Sequence, residues 1–387
     1  MFSSRVPPNR EPNRLARAVG SARAAGRVLI DLTATNPTTV GLTYPRDLLQ
    51  PLASASALVY TPHAFGLAGA RDAVARDCAR RGIAADRSRI VLTASTSEAY
   101  SLLFKLLCAP GDAVLVPVPS YPLFDYLTEL DGVRAHPYRL EYHGRWVVDL
   151  DSLERAWSGS ARAVLAVSPN NPTGSTLSAD ELTALDVRCG ERGAALILDE
   201  VFADYPLRTP AEHERTRAQP GALTFRLGGL SKSAGLPQVK LGWIVVDGPE
   251  PLVSEALERL ELICDTYLSV STPVQIAAAD LIRAGAGIRA QIQRRIVANF
   301  RELCSLGPAY PATQVLPADG GWSAVVRVPS TIAEEDLVLE LLERDSVLVH
   351  PGFFFDFPHE AFVVLSLLPE PAAFAEGVHR LMERAHG

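Results

Sequence analysis

The sequence is poor in several features that would each define a class of protein. Its 387 residues include 5 cysteines and 2 methionines, and no apolar run reaches the roughly 18 residues that a membrane-spanning helix needs. The cysteines are odd in number and widely scattered, which argues against both a disulfide framework and a metal-binding pair. They lie at Cys78, Cys108, Cys189, Cys264 and Cys304. We therefore expect no metal site and no membrane span, and we predict a reducing, cytoplasmic location.

An excess of positive charge is also absent. The chain has 37 lysines and arginines against 44 aspartates and glutamates, a formal net charge of -7. This charge argues against broad binding to nucleic acid or to anionic membranes, so neither is expected as a partner. The first 26 residues are basic, but prolines interrupt them and they contain no apolar run, so a signal peptide is not expected either.

The middle of the chain alternates short apolar runs with helical patterns. Five runs rich in valine, isoleucine and leucine lie at 89–95, 113–121, 161–168, 194–200 and 224–231. Because they are apolar on both faces, they predict a mostly parallel sheet covered by helices on both sides. Helical patterns occupy 97–108 and 178–193, and the second opens with a capping box formed by Ser178 and Glu181. The alternation indicates an α/β fold.

After about residue 285 the pattern changes. An amphipathic helix is predicted at 288–304, strands at 320–328 and 361–368, and a closing helix at 371–385. These elements indicate a smaller α+β domain. We therefore predict three parts: an N-terminal arm with part of the small domain (1–45), a large cofactor-binding domain (46–285) and a small C-terminal domain (286–387).

Polar residues end the predicted strands. In an open parallel sheet, ligands bind beyond the carboxyl ends of the strands, so these residues should converge. They are Ser95, Thr96, Ser97, Tyr121, Asn170, Asn171, Asp199, Ser231 and Lys232. Together they supply an amine, a carboxylate, amides, an aromatic ring and hydroxyls, which suits pyridoxal 5'-phosphate. Each residue by itself also fits an ordinary role, such as a helix cap, a turn or a surface lysine.

The order of several segments resembles the class I and II aminotransferases of the fold type I pyridoxal-phosphate enzymes. The segments are YTPHAFGLAGARDAV, TASTSEA, PSY, SPNNPTG, DEVFADY, SKSAGLPQVKLGW and HPGFFF. The resemblance covers roughly residues 30 to 385, and its most specific part is NPTG followed by DE and then SK at the family's spacing. It implies a large domain with a mostly parallel sheet flanked by helices, plus a smaller α+β domain.

The resemblance assigns three catalytic residues. Lys232 matches the lysine that forms the internal aldimine and later moves a proton at the substrate α-carbon. Asp199 matches the carboxylate that pairs with the protonated pyridine nitrogen. Asn171 matches the asparagine that binds the ring's 3' oxygen, although Asn-Pro and Thr-Gly also favour a turn there.

Further residues are implied to bind the cofactor. Tyr121 matches the aromatic ring that stacks on the pyridine, and Ser231 lies beside the lysine. Ser95, Thr96 and Ser97 precede a helix expected to begin near Glu98, where its N-terminus would bind the phosphate; a simple helix N-cap is the alternative. Tyr60 matches a tyrosine that reaches the phosphate of the other subunit, which implies a homodimer with shared active sites.

Besides Ser95, where the family usually has glycine, four positions depart from the family pattern. Lys240 stands where an arginine normally binds the phosphate, which keeps the charge but loses the planar fork. Gly229 stands where many relatives have a serine. Phe202 replaces a tyrosine whose hydroxyl binds the ring's 3' oxygen.

The fourth departure concerns the substrate. Val364 stands where an arginine normally binds the substrate α-carboxylate, so either another arginine, with Arg327 as a candidate, replaces it or the substrate lacks that carboxylate. Trp322 and the aromatic run at 353–357 line an apolar substrate pocket or belong to the core.

The sequence therefore predicts an aminotransferase that moves an amino group between a small amino donor and a keto acceptor. A lyase, decarboxylase or cyclase on the same scaffold is the alternative. Because Val364 replaces the arginine that binds the substrate carboxylate, this alternative is more plausible here than in family members that keep the arginine. A regulator that binds both pyridoxal phosphate and DNA is disfavoured, because only about 30 residues precede the first motif and the net charge is acidic.

Overall fold

The computed structural model describes residues 2–7, 11–208 and 220–386. The strands of this part of the chain are β1 (Ile30–Asp31), β2 (Ile90–Thr93), β3 (Ala113–Val118), β4 (Arg134–Tyr142), β5 (Trp146–Val148), β6 (Ala161–Val167), β7 (Ala195–Asp199), β8 (Thr224–Gly229), β9 (Gly242–Asp247), β10 (Gln314–Val315), β11 (Ser323–Arg327), β12 (Val347–Leu348), β13 (His350–Pro351) and β14 (Phe362–Ser366). The α-helices are α1 (Arg14–Ala24), α2 (Ala68–Arg80), α3 (Thr96–Leu107), α4 (Phe124–Leu130), α5 (Leu150–Ala156), α6 (Ala179–Glu191), α7 (Leu230–Ser233), α8 (Glu250–Tyr267), α9 (Thr272–Leu306), α10 (Glu334–Asp345) and α11 (Pro371–His386).

The large sheet has eight strands in the order β2-β9-β8-β7-β6-β3-β4-β5. The five strands from β8 to β4 are parallel to one another, and antiparallel pairs lie at both ends. Strands β7 and β8 are buried along their whole length, which explains why their sequences are apolar on both faces. The predicted α/β fold is confirmed.

Helices cover both faces of this sheet. Alternate strand residues face α3, α4 and α8 on one side and α5 and α6 on the other. The capping box predicted for α6 is present, since Ser178 and Glu181 each bind the other's backbone N–H. The sequence patterns did not predict α2 and α8.

A second, antiparallel sheet follows the order β10-β11-β14-β13. Strand β1 pairs in parallel with β12, so the N-terminal segment joins the C-terminal part of the chain. Helix α9 is longer than the predicted 288–304, because its buried positions continue the same spacing back to Ala277. It therefore runs unbroken through position 285, and the proposed domain limits stay a prediction.

Among the described helices, none combines the length and the apolar character that crossing a bilayer requires.

Candidate active site

A cavity of about 460 Å³ lies at the carboxyl edge of the parallel strands. It is lined by ten of the eleven residues expected to bind the cofactor: Ser95, Thr96, Ser97, Tyr121, Asn171, Asp199, Phe202, Ser231, Lys232 and Lys240. These residues come from separate strand ends, and the parallel sheet brings them to one place. The eleventh, Tyr60, lies outside this cavity.

Lys232 lies in the short helix α7, directly after β8. Its Nζ is 5.1 Å from the ring centre of Trp322 and 5.7 Å from that of Phe202. Burial lowers the pKa of Lys232, and the nearby carboxylate of Asp199 partly opposes that shift. The lowered pKa increases the fraction of the free amine, which is the form that attacks a carbonyl.

Asp199 is the last residue of β7, and both of its carboxylate oxygens accept a hydrogen bond. Tyr100 donates its hydroxyl to Oδ2 at 2.7 Å, and the backbone N–H of Val201 donates to Oδ1 at 3.1 Å. Burial raises the pKa of Asp199, while these two hydrogen bonds lower it. Burial and the neighbouring Asp199 also raise the pKa of Tyr100 well above its usual value, so the tyrosine remains a donor.

Tyr100 was missed by the sequence analysis. It lies on the buried face of α3 among apolar residues, and its 99-residue separation from Asp199 left no local signal. The only hint was a hydroxyl in an apolar helix, since buried tyrosine hydroxyls usually have a partner.

The N-terminus of α3 faces the cavity. The helix begins at Thr96, two residues before the expected start near Glu98, because Ser95 is the N-cap and its Oγ accepts from the N–H of Glu98 at 3.1 Å. The Glu98 carboxylate in turn accepts from the N–H of Ala94 at 2.6 Å. The first-turn N–H groups of Thr96 and Ser97 have no acceptor within the helix, which makes this terminus suited to an anion.

Strands β8 and β9 approach closely beside this terminus. A Cβ on Gly242 would lie 3.1 Å from the carbonyl carbon of Ser95, and a Cβ on Gly229 would lie 3.2 Å from the Cα of Gly242. Glycine at position 229 therefore permits close strand packing. Lys240, just before β9, is exposed and has a left-handed backbone (φ 58°, ψ 58°). This conformation is unfavourable for a long side chain, because its Cβ atom crowds the backbone.

The remaining expected residues complete the cavity wall. Asn171 accepts a hydrogen bond from Ser323 Oγ at 3.0 Å through Oδ1, which leaves its amide N–H groups to donate. The neighbouring Asn170 is buried and binds the local backbone and hydroxyls instead. Phe202 packs edge-to-face on Trp322 at 5.5 Å, and Tyr121 is 41% exposed at the cavity mouth.

Tyr60 lies on the surface of the chain. It is 69% exposed and lines a separate surface pocket together with Tyr267. Its neighbours Leu58 and Val59 are 87% and 66% exposed. The described residues of a single chain therefore do not bring Tyr60 to the lysine.

The substrate side of the cavity contains no arginine among the described residues that line it. Val364 lies in this wall as expected, but Arg327 is exposed and does not line the cavity, so it cannot replace the missing arginine. Trp322, Phe354 and Phe355 form an apolar surface there. His350 also lines this side and was not identified from the sequence.

This set of residues fits pyridoxal phosphate. The cavity has the volume of a small-molecule site and holds a half-buried amine, a buried carboxylate and a helix terminus suited to an anion. The buried carboxylate of Asp199 has no basic hydrogen-bond partner among the described residues and suits a cationic ring nitrogen.

Comparisons with known proteins agree with this chemistry. A family model described as aminotransferase class I and II matches residues 33–372. The chain is 25% identical to the glutamate-pyruvate aminotransferase AlaA of Haemophilus influenzae, over 92% of this chain and 90% of that protein. It is 27% identical to the alanine aminotransferase of Mycobacterium tuberculosis, over 92% of this chain and 86% of that protein.

Solved structures share the fold. An aminotransferase from Escherichia coli superposes with a TM-score of 0.86 at 21% identity, covering 100% of this chain and 98% of that one. The alanine aminotransferase from Pyrococcus furiosus superposes with a TM-score of 0.85 at 23% identity, covering 99% of both chains.

Proposed function

The chain belongs to the class I and II aminotransferase family and is a pyridoxal-phosphate-dependent transaminase acting on small amino and keto molecules; from this premise we propose that Lys232 holds the cofactor and that a second copy of the chain completes the site. The observation that carries the first part is the half-buried amine of Lys232, whose pKa is lowered, in the same cavity as the buried carboxylate of Asp199.

Each catalytic residue has a proposed task. Bound pyridoxal phosphate supplies an electron sink for the charge that develops on the substrate's amine-bearing carbon. Asp199, held by Tyr100, would keep a proton on the ring nitrogen, and Lys232 would move the proton at the reacting carbon as general base and acid. Asn171 would hold the ring's 3' oxygen through its amide N–H, and Tyr121 would contact the ring.

The phosphate is proposed to bind at the other end of the cavity. The N-terminus of α3 offers the N–H groups of Thr96 and Ser97 with their hydroxyls, and Ser95 fixes that turn. Ser231 adds a hydroxyl, and Lys240 adds a positive charge. The strained backbone of Lys240 supports this role, because such conformations cluster at functional sites.

The proposed homodimer accounts for the exposed apolar surface around Tyr60. Leu58, Val59, Tyr60 and Tyr267 are all more than half exposed in the single chain. Burying them in an interface would remove this apolar area from water. The interface would also bring Tyr60 to the phosphate of the partner's site.

We propose a cytoplasmic location for the assembled enzyme.

Borohydride reduction tests the role of Lys232. Reduction of the protein loaded with pyridoxal phosphate, followed by peptide mass spectrometry, is expected to find the cofactor on Lys232, and Lys232→Ala is expected to lose both the adduct and amino transfer. Lys105→Ala, which removes a lysine paired with Asp131, is the control for the adduct and should keep the cofactor on Lys232. An adduct on another lysine of the wild type would overturn the assignment.

Subunit mixing tests the shared site. Lys232→Ala and Tyr60→Ala subunits should each be impaired, but their heterodimer would contain one site with an intact Lys232 and an intact Tyr60 from the partner. Activity should therefore rise when the two variants are unfolded and refolded together. No rise above the separately refolded variants would place Tyr60 in its own subunit's site or in no site.

A further inference from the structure

His350 and Val364 are direct neighbours in the small antiparallel sheet. They are Cα partners in the pairing of β13 with β14, and both line the cavity that contains Lys232. Side chains that oppose each other on antiparallel strands leave the same face with their Cβ atoms about 5 Å apart. The imidazole of His350 therefore lies beside Val364, the position at which the positive charge of the expected arginine is missing.

The imidazole has an unused polar atom. Its Nδ1 is buried and has no hydrogen-bond partner among the described residues. The ring instead packs against Phe354 and Phe355, with centroid distances of 5.9 and 5.8 Å. Burial lowers the pKa of His350, and the carboxylate of Asp31 partly opposes the shift. A buried polar atom without a partner is unfavourable in free energy, and Nδ1 would gain a partner if the ring turned to bring it to a ligand in the cavity.

The other polar groups of the cavity either have a proposed partner already or cannot carry a positive charge. Lys232 and Lys240 are assigned to the cofactor, and the Ser323 hydroxyl donates to Asn171. Trp322 also has a buried Nε1 without a partner among the described residues, but indole carries no charge. His350 is thus the described residue on this side of the cavity that can hold a proton for an anion.

We propose that His350 binds the carboxylate of the substrate and that the enzyme acts on amino acids with apolar side chains. This inference rests on the proposed function, because it takes Lys232 as the reacting amine of the same cavity. The carboxylate accepts a hydrogen bond from the imidazole, and the apolar side chain packs on Trp322, Phe354 and Phe355. The imidazole replaces a guanidinium fork with a single donor from the adjacent strand.

Paired substrates test this assignment. Phenylalanine and 2-phenylethylamine differ by one carboxylate, and loss of the cofactor's absorbance reports the reaction of each. The wild type should react far better with phenylalanine. His350→Phe should raise the KM for phenylalanine roughly 10- to 100-fold, the value of one hydrogen bond to a charged group, with a smaller effect on kcat. The same change should leave 2-phenylethylamine nearly unaffected.

A binding measurement removes the dependence on turnover. Calorimetry with 3-phenylpropionate and its neutral amide should show that His350→Phe weakens the acid and spares the amide, and that His350→Arg restores acid binding. His350→Leu, which also has no donor and is smaller than phenylalanine, replaces His350→Phe if that variant does not fold. Trp322→Phe is the matched control, because it removes the neighbouring N–H and should affect both ligands alike.

Three results would overturn the proposal. One is an equal loss of acid and amide binding in His350→Phe, and another is selective loss of the acid in Trp322→Phe instead. The third is a wild type that reacts with 2-phenylethylamine as well as with phenylalanine. If the wild type transfers no amino group from either substrate, the proposed class of apolar amino acids fails, whereas the role of Lys232 is decided separately by the borohydride adduct. The calorimetric comparison still decides the role of His350.

Discussion

Removing the Tyr100 hydroxyl should weaken cofactor binding from a position that need not touch the cofactor. Tyr100→Phe deletes the 2.7 Å hydrogen bond to Asp199 Oδ2 and leaves the buried carboxylate with the N–H of Val201. Hydrogen bonds to charged groups contribute about 1.5–3 kcal/mol. The loss falls on the charged form of Asp199, so the pKa of Asp199 should rise further.

The size of the effect follows from the two states of the protein. Without the cofactor, the Asp199 carboxyl group can take up a proton, and the protonated form loses little free energy when the hydrogen bond is removed. With the cofactor, the protonated ring nitrogen requires the charged carboxylate, so the full loss of free energy falls on the cofactor complex. The affinity for pyridoxal phosphate should therefore fall by up to roughly 10- to 100-fold, with the full loss at pH values below the pKa of Asp199 and a smaller loss above it.

Equilibrium titration of the apoprotein with pyridoxal phosphate, followed by absorbance, measures this change. Tyr138→Phe is the matched control, because Tyr138 is an equally buried tyrosine whose hydroxyl donates to the backbone carbonyl of Leu165 at 2.8 Å. Its loss should lower the free energy of unfolding by about 1 kcal/mol and leave cofactor affinity unchanged. Equal cofactor affinities in the two variants would refute the role of Tyr100.

Three further predictions concern the same cavity. Lys240→Asn removes the charge, and asparagine tolerates the left-handed backbone at this position. Cofactor affinity should therefore fall about tenfold, while the stability of the apoprotein stays the same. Equal affinities of the variant and the wild type would show that Lys240 does not contact the phosphate. Phe202→Tyr should lower the pH at which the bound cofactor changes absorbance, by up to about one unit, and no shift would count against a hydroxyl reaching the ring's 3' oxygen. Because burial lowers the pKa of Lys232, the folded apoprotein binds fewer protons than the unfolded chain between that lowered pKa and 10.5, and its stability should rise with pH in this range. Urea unfolding of Lys232→Met should show a smaller rise, and an unchanged pH dependence would contradict the shift.

The fold and most of the cavity could be predicted because their signals are local. A strand buried on both faces needs a continuous apolar run, and the residue that follows each parallel strand must lie at one edge of the sheet. Asp199 ends β7, and Lys232 follows β8, so their meeting follows from this rule. The start of α3 was placed two residues late, because Ser95, Thr96 and Ser97 are all acceptable N-caps and the bond from the Glu98 N–H decides among them.

The sequence by itself determined the α/β fold, the cofactor chemistry and the absence of an arginine at Val364. Each of these can be recognised from short segments, namely the apolar runs of the strands and the motifs that follow them. The tertiary structure decided what surrounds them. It placed the Tyr100 hydroxyl on Asp199, His350 beside Val364 and Tyr60 outside its own chain's cavity. These relations join residues through helix packing and strand register, which depend on the burial of the whole core and leave no periodicity in any one segment.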